Sequence, residues 1–119
     1  MSVNIKRIYE LYTKGDGYRI LVDRLWPRGI KKEDAHIDKW LKGVAPSTEL
    51  RKWFHQSEPS DTHWHQFVKD YRAELTKTSA VEELMAEIER HETVTLLFAS
   101  KSEAHNHALI LRKFIEERA

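Results

Sequence analysis

Residues 93–99 read Thr93-Val94-Thr95-Leu96-Leu97-Phe98-Ala99, seven β-branched or apolar positions in succession. A strand wet on one face alternates apolar with polar side chains, so a short run without that alternation belongs to a strand covered on both faces. Ser100-Lys101-Ser102 closes it, and from about Glu103 the spacing predicts a helix with Ala108, Leu111, Phe114 and Ile115 turned inward. On the other side of the strand, Ser79 followed by Glu82 reads as a capping box. It opens a helix that carries Val81, Leu84, Met85 and Ile88 and ends near His91. Further back, a helix beginning near Ser60 or Asp61 places Trp64, Phe67, Val68, Tyr71 and Leu75 on one stripe. After Pro46, Ser47 caps a short helix to about His55, with Leu50, Trp53 and Phe54 inward.

A second run, Tyr18-Arg19-Ile20-Leu21-Val22-Asp23-Arg24-Leu25, has the same doubly covered centre at Ile20-Leu21-Val22. Trp26-Pro27-Arg28-Gly29 stops it as a turn, with Pro27 in the second position and Gly29 in the fourth. Ahead of it, Ile5, Ile8, Tyr9, Leu11 and Tyr12 read as a first strand that runs up to the turn Lys14-Gly15-Asp16-Gly17. Between Ile30 and Ala45 periodicity is poor, and His36 to Leu41 fits either a short strand or a helical turn. The order is β, β, helices, β, helix. It predicts an α/β domain with a small mixed or mostly parallel sheet of three to four strands covered by about four helices. The long helical crossover from Tyr18 to Thr93 lets those two strands lie parallel, with their carboxyl ends on one edge.

With 119 residues, one hydrophobic core and one domain over 1–119 are expected. Charged residues make up 33% and apolar residues 40%, which excludes both a disordered chain and a membrane-embedded one. Twenty Lys and Arg nearly balance nineteen Asp and Glu, so the net charge of +1 provides no general field for nucleic acid. There is no Cys, hence no disulfide framework and no thiolate nucleophile or ligand. Residues 1–7 show no apolar signal core and no run reaches membrane-span length, so the expected location is the cytoplasm, with no membrane partner. Nothing in the sequence speaks to oligomeric state.

Open α/β sheets bind ligands beyond the carboxyl ends of their strands. Two segments meet that rule. In Asp23-Arg24-Leu25-Trp26-Pro27-Arg28-Gly29, alternation sends Asp23 and Arg24 to opposite faces at the end of an apolar strand. In Ser100-Lys101-Ser102-Glu103-Ala104-His105-Asn106-His107, the hydroxyls, Lys101 and a helix amino terminus compose an anion seat. The same charges also fit a structural role in closing strand ends, and Trp26-Pro27 fits a plain corner.

These stretches also carry a family resemblance. Val22-Asp23-Arg24-Leu25-Trp26-Pro27-Arg28-Gly29, then Ala45-Pro46-Ser47 with Leu50-Arg51-Lys52-Trp53-Phe54-His55, then Thr95-Leu96-Leu97-Phe98-Ala99 with Asn106-His107-Ala108, resemble the motifs of the YeaO-like family of unknown function. The likeness runs in order over nearly the whole chain and implies no particular activity. Where that family often has Ala-Ala-Lys-Asp after its last strand, this chain has Ala99-Ser100-Lys101-Ser102, without the acid.

The seven histidines include His63-Trp64-His65 and His105-Asn106-His107, but residues two apart on a helix diverge, so no metal is expected. With only Gly15, Gly17, Gly29 and Gly43 there is no phosphate-binding glycine loop, and no cofactor is implied. The leading expectation is a small anionic ligand, phosphate- or nucleotide-like, held by Arg24, Trp26, Arg28, Lys101, Asn106 and His107. Arg24, Arg28 and Lys101 converge there as three cations with no evident local acid. Asp23 and His107 are the candidates for acid or base work, and whether catalysis occurs is left open. The alternative, less favoured because of the near-zero net charge, is a nucleic-acid or protein module using Arg51, Lys52, His55, Lys69, Arg72 and Lys77 on the central helices.

Overall fold

The computed structural model describes residues 2–56, 58 and 60–118. Four strands, β1 (Ser2–Arg7), β2 (Tyr18–Leu21), β3 (Lys39–Trp40) and β4 (Thr93–Phe98), form one sheet in the order β1-β4-β2-β3. Every pairing is parallel, with Ser2 opposite Thr93, Tyr18 opposite Val94 and Ile20 opposite Lys39. The helices are α1 (Lys32–Ala35), α2 (Thr48–Gln56), α3 (Asp61–Leu75), α4 (Ala80–Arg90) and α5 (His107–Arg118). None is long and apolar enough to cross a membrane. The run at 93–99 is the inner strand it reads as: Val94 through Phe98 are all buried, between β1 and β2.

The two faces of the sheet are covered differently. Val3, Ile5, Ile20, Val22, Val94, Leu96 and Phe98 meet the apolar stripes of α2 to α5 in the main core. On the opposite face Ile8, Leu21 and Leu97 pack against Trp40 of β3 and against Trp26, Ile30, Ile37 and Ala99 from loops. The steps β1 to β2 and β2 to β3 move one way across the sheet through these loops, and β3 to β4 returns the other way over the helical face. Reversing both direction and face keeps the same hand for every crossover.

Within the loop face lies a buried ionic network. The Arg19 side chain is 2% exposed; its guanidinium pairs with Asp16 and donates to the carbonyls of His36 (3.0 Å) and Ala35 (3.2 Å). Lys6 Nζ reaches Asp16 at 3.0 Å from β1. Burial alone would raise the Asp16 pKa, but Lys6, the Thr13 N–H and hydroxyl and Arg19 together bring it down to about 2. A carboxylate held below its unfolded value near 3.8 adds stability that is complete above about pH 4 and is lost as pH falls toward 2. Urea denaturation is expected to show about 2 kcal/mol lost across that window. The dependence should be shallower in Asp16→Asn, and parallel pH profiles for the two proteins would contradict this.

Several expected boundaries shift for local reasons. β1 stops at Arg7 instead of continuing through Tyr12, because the Glu10 carboxylate accepts from the Arg7 N–H (2.9 Å) and the Glu10 N–H bonds the Arg7 carbonyl. Leu11 is consequently 88% exposed. β2 ends at Leu21, with Val22 making one more ladder bond to Leu97 before the chain leaves the sheet. The region 36–41 resolves as the two-residue strand β3. At the start of α4, Ser79 forms no capping box; Thr78 Oγ1 accepts from the Ala80 N–H instead (3.2 Å). α2 and α3 start as expected, with Ser47 Oγ accepting from Leu50 N and Ser60 Oγ from His63 N, both at 3.1 Å. α5 begins at His107, not Glu103, because the Asn106 carboxamide caps it by accepting from Leu109 N at 3.0 Å.

Candidate functional site

Past β2 the chain leads toward β3, while past β4 it turns back to α5, which packs on β1 and β4. The two loops therefore separate between adjacent parallel strands, and a crevice opens at their carboxyl ends. It has a volume of about 590 Å³. Its walls are the segments 23–28 and 99–102, the residues His105 to His107, Ala45-Pro46, Tyr9, and the α2 side chains Arg51, Phe54 and His55.

Asp23, Arg24, Trp26, Arg28, Lys101, Asn106 and His107 all line this one cleft. Asp23 and Arg24 do not diverge to opposite faces, because ladder pairing ends at Val22 and strand alternation no longer applies beyond it. Asp23 Oδ2 accepts from the Ala99 N–H at 2.9 Å, tying the two loops together. Its Oδ1 makes no hydrogen bond of good angle, although it lies 3.0 Å from His107 Nε2, which also meets the Val22 carbonyl at 3.0 Å. The cations thus do have a neighbouring acid, set behind His107. Arg24 is spent on structure, its guanidinium donating to the carbonyls of Pro46 and Ala45 at 3.2 Å each.

Asn106 is buried and fully engaged, donating to Ser102 and Glu103 carbonyls while capping α5. It shapes the loop around Lys101, and its cap occupies the amino terminus that read as part of an anion seat. Trp26 Nε1 donates to the Ile30 carbonyl (2.7 Å), and Tyr9 Oη donates to the Arg28 carbonyl (2.8 Å). The tight turn lies one residue later than expected. Ile30 N bonds the Pro27 carbonyl, so Gly29 holds the third position at φ 79°, where a type II turn needs a positive φ. With its backbone fixed from both sides, Arg28 presents an exposed side chain.

A family profile described as the inactive DUF488-N3 subclade matches residues 2–119. The chain belongs to this subclade. It is 45% identical over 115 residues to the uncharacterized protein YeaO of Escherichia coli K12, covering 97% of each chain. It is 39% identical over 117 residues to the uncharacterized protein Mb3100c of Mycobacterium bovis, covering 98% of this chain and 95% of that one. The YeaO-like relationship carried by the motifs is thereby shown. No solved structure matches.

In this member of the DUF488-N3 subclade, Arg51 and His55 join the cleft from α2, although their sequence pattern reads as an outer helical face. In the sequence they stand in the Leu50 to His55 motif and among the basic groups of the alternative interaction module, with nothing that ties them to the sheet edge. The His55 pKa is lowered, first by burial and then by the Arg51 and His107 charges. The other histidines serve largely as aromatic packing: His36 stacks on Tyr12 at 4.1 Å, His91 on Tyr18 at 3.9 Å and His105 on Trp64 at 4.7 Å. Among the described residues no group of three or more His, Cys, Asp or Glu is placed to hold a metal ion.

Proposed function

We propose that the cleft binds a small anionic ligand through a phosphate-like group, in a binding role and not a catalytic one. One observation carries this reading. Arg28, Arg51 and Lys101 line one cleft from three different segments, are exposed, and make no side-chain hydrogen bond or ion pair among the described residues. Cations gathered without partners repel one another, and an anion relieves that repulsion. The chain has no Cys nucleophile, and the subclade's description as inactive supports binding over turnover.

Thermal-shift titration with phosphate, sulfate and nucleotides tests this. Ligand at about ten times its Kd stabilises by roughly 1.4 kcal/mol, or about 5–6 °C for a chain of this size. Arg28→Ala is expected to be as stable as wild type without ligand, or more so, and to lose most of the anion-induced shift. No anion-dependent shift in the wild type would refute the reading. A variant that loses stability yet keeps its full shift would assign Arg28 to the turn alone.

A further inference from the structure

Resting on that anion-binding reading, we propose a second part for the ligand: a flat aromatic or heteroaromatic ring, joined to the phosphate-like group and lying along Phe54. At about 590 Å³ the cleft falls in the range of about 300–1,000 Å³ that suits a drug-sized molecule, and a bare phosphate leaves most of it unfilled. What fills the rest follows from which polar groups remain free. Asp23 Oδ2 is committed to Ala99 N, while its Oδ1 is buried 3.0 Å from His107 Nε2 and presents no surface to the cleft; Asn106 Oδ1 is committed to Leu109 N, and Trp26 Nε1 to the Ile30 carbonyl. Ser100 and Ser102 Oγ already accept from the Ser102 and His105 N–H groups, and apart from these, His55 and the cations, the remaining surface is mainly apolar.

A sugar phosphate would bring several hydroxyl hydrogens into a space whose side-chain carboxylate and carboxamide acceptors are either taken or buried out of reach, and buried donors left unpaired lose affinity. A flat ring brings no such donors. Phe54 is half-buried and held rigid by stacking on Phe67 at 4.3 Å, so its orientation is set before any ligand arrives. Arg51 lies one turn before it on the same helix, placing a cation and an aromatic surface side by side. On the opposing wall Trp26, edge-on to Trp40 at 5.4 Å with its N–H occupied, also offers only apolar surface.

Titration calorimetry at fixed ionic strength with inorganic phosphate, glucose 6-phosphate, phenyl phosphate and phenol separates the possibilities. Phenyl phosphate is expected to bind at least about tenfold more tightly than phosphate, with glucose 6-phosphate within about threefold of phosphate and phenol undetectable. Phe54→Leu should bring phenyl phosphate to within about threefold of phosphate while leaving phosphate unchanged. If phosphate binds but phenyl phosphate gains nothing, or glucose 6-phosphate gains as much, the ring proposal fails while anion binding stands. If neither phosphate nor phenyl phosphate binds, the anion reading itself fails. An undiminished phenyl phosphate advantage in Phe54→Leu would overturn the placement of the ring, and if that variant does not fold, the wild-type ranking decides.

Discussion

Arg19→Met is expected to destabilise the protein by about 3–5 kcal/mol, seen as a lower urea midpoint at neutral pH. Arg19 is almost fully enclosed and ties three segments together: Asp16 in the β1–β2 connection, and the carbonyls of Ala35 and His36 ahead of β3. Methionine matches its aliphatic stem but supplies no donors. The buried Ala35 carbonyl and the partly buried His36 carbonyl then lose their donor, and Asp16 keeps only Lys6 as a counter-charge. Adding Asp16→Asn to Arg19→Met should recover part of the loss, because the buried negative charge is removed. A single-variant loss below about 1 kcal/mol would mean that water takes over the role of the guanidinium.

Gly17→Ala is expected to cost at least about 3 kcal/mol. Gly17 closes the connection that carries the chain past the start of β4, with φ 67° and ψ −137°, a conformation that side-chain-bearing residues rarely adopt. A Cβ there would sit 2.2 Å from the Thr93 carbonyl oxygen and 2.8 Å from Thr93 Cβ. The clash is with backbone at the head of the inner strand, so relief requires moving the sheet. Equal midpoints for Gly17→Ala and wild type in urea denaturation would show that the connection can be rebuilt without glycine.

The parts of the fold legible in the sequence were those set by periodicity and burial. The unbroken apolar run of β4 and the stripe from Trp64 to Leu75 report directly on what covers them. Boundaries decided by single side-chain hydrogen bonds were less legible: Glu10 ending β1, Thr78 replacing Ser79 at α4, and Asn106 delaying α5 each depend on which of several capable groups wins locally. Arg19 looked like one polar residue within a strand, and nothing nearby in sequence indicates that Ala35 and His36 return to meet it. In the cleft, the strand-end rule located Asp23, Arg28 and Lys101. It missed Arg51 and His55, because helical spacing says which face of α2 is apolar but not that its polar flank overhangs the sheet edge.

The position of β4 at the centre of the sheet also has a consequence for how the chain folds. β1 and β2 are not neighbours, and each finds its main partner in a strand that comes late in the chain; Ser2 pairs with Thr93, about ninety residues away. During synthesis both early strands leave the ribosome with no strand between them. The helices made next cannot hold them in register, because the ladder they need does not yet exist. Such long-range parallel pairing is intrinsically slow, since loop closure must come before the contacts that reward it. Until residues 93–98 arrive, β1 and β2 each keep an unpaired backbone edge on the side that β4 will occupy, so this interval is when the chain is most exposed to edge-to-edge aggregation.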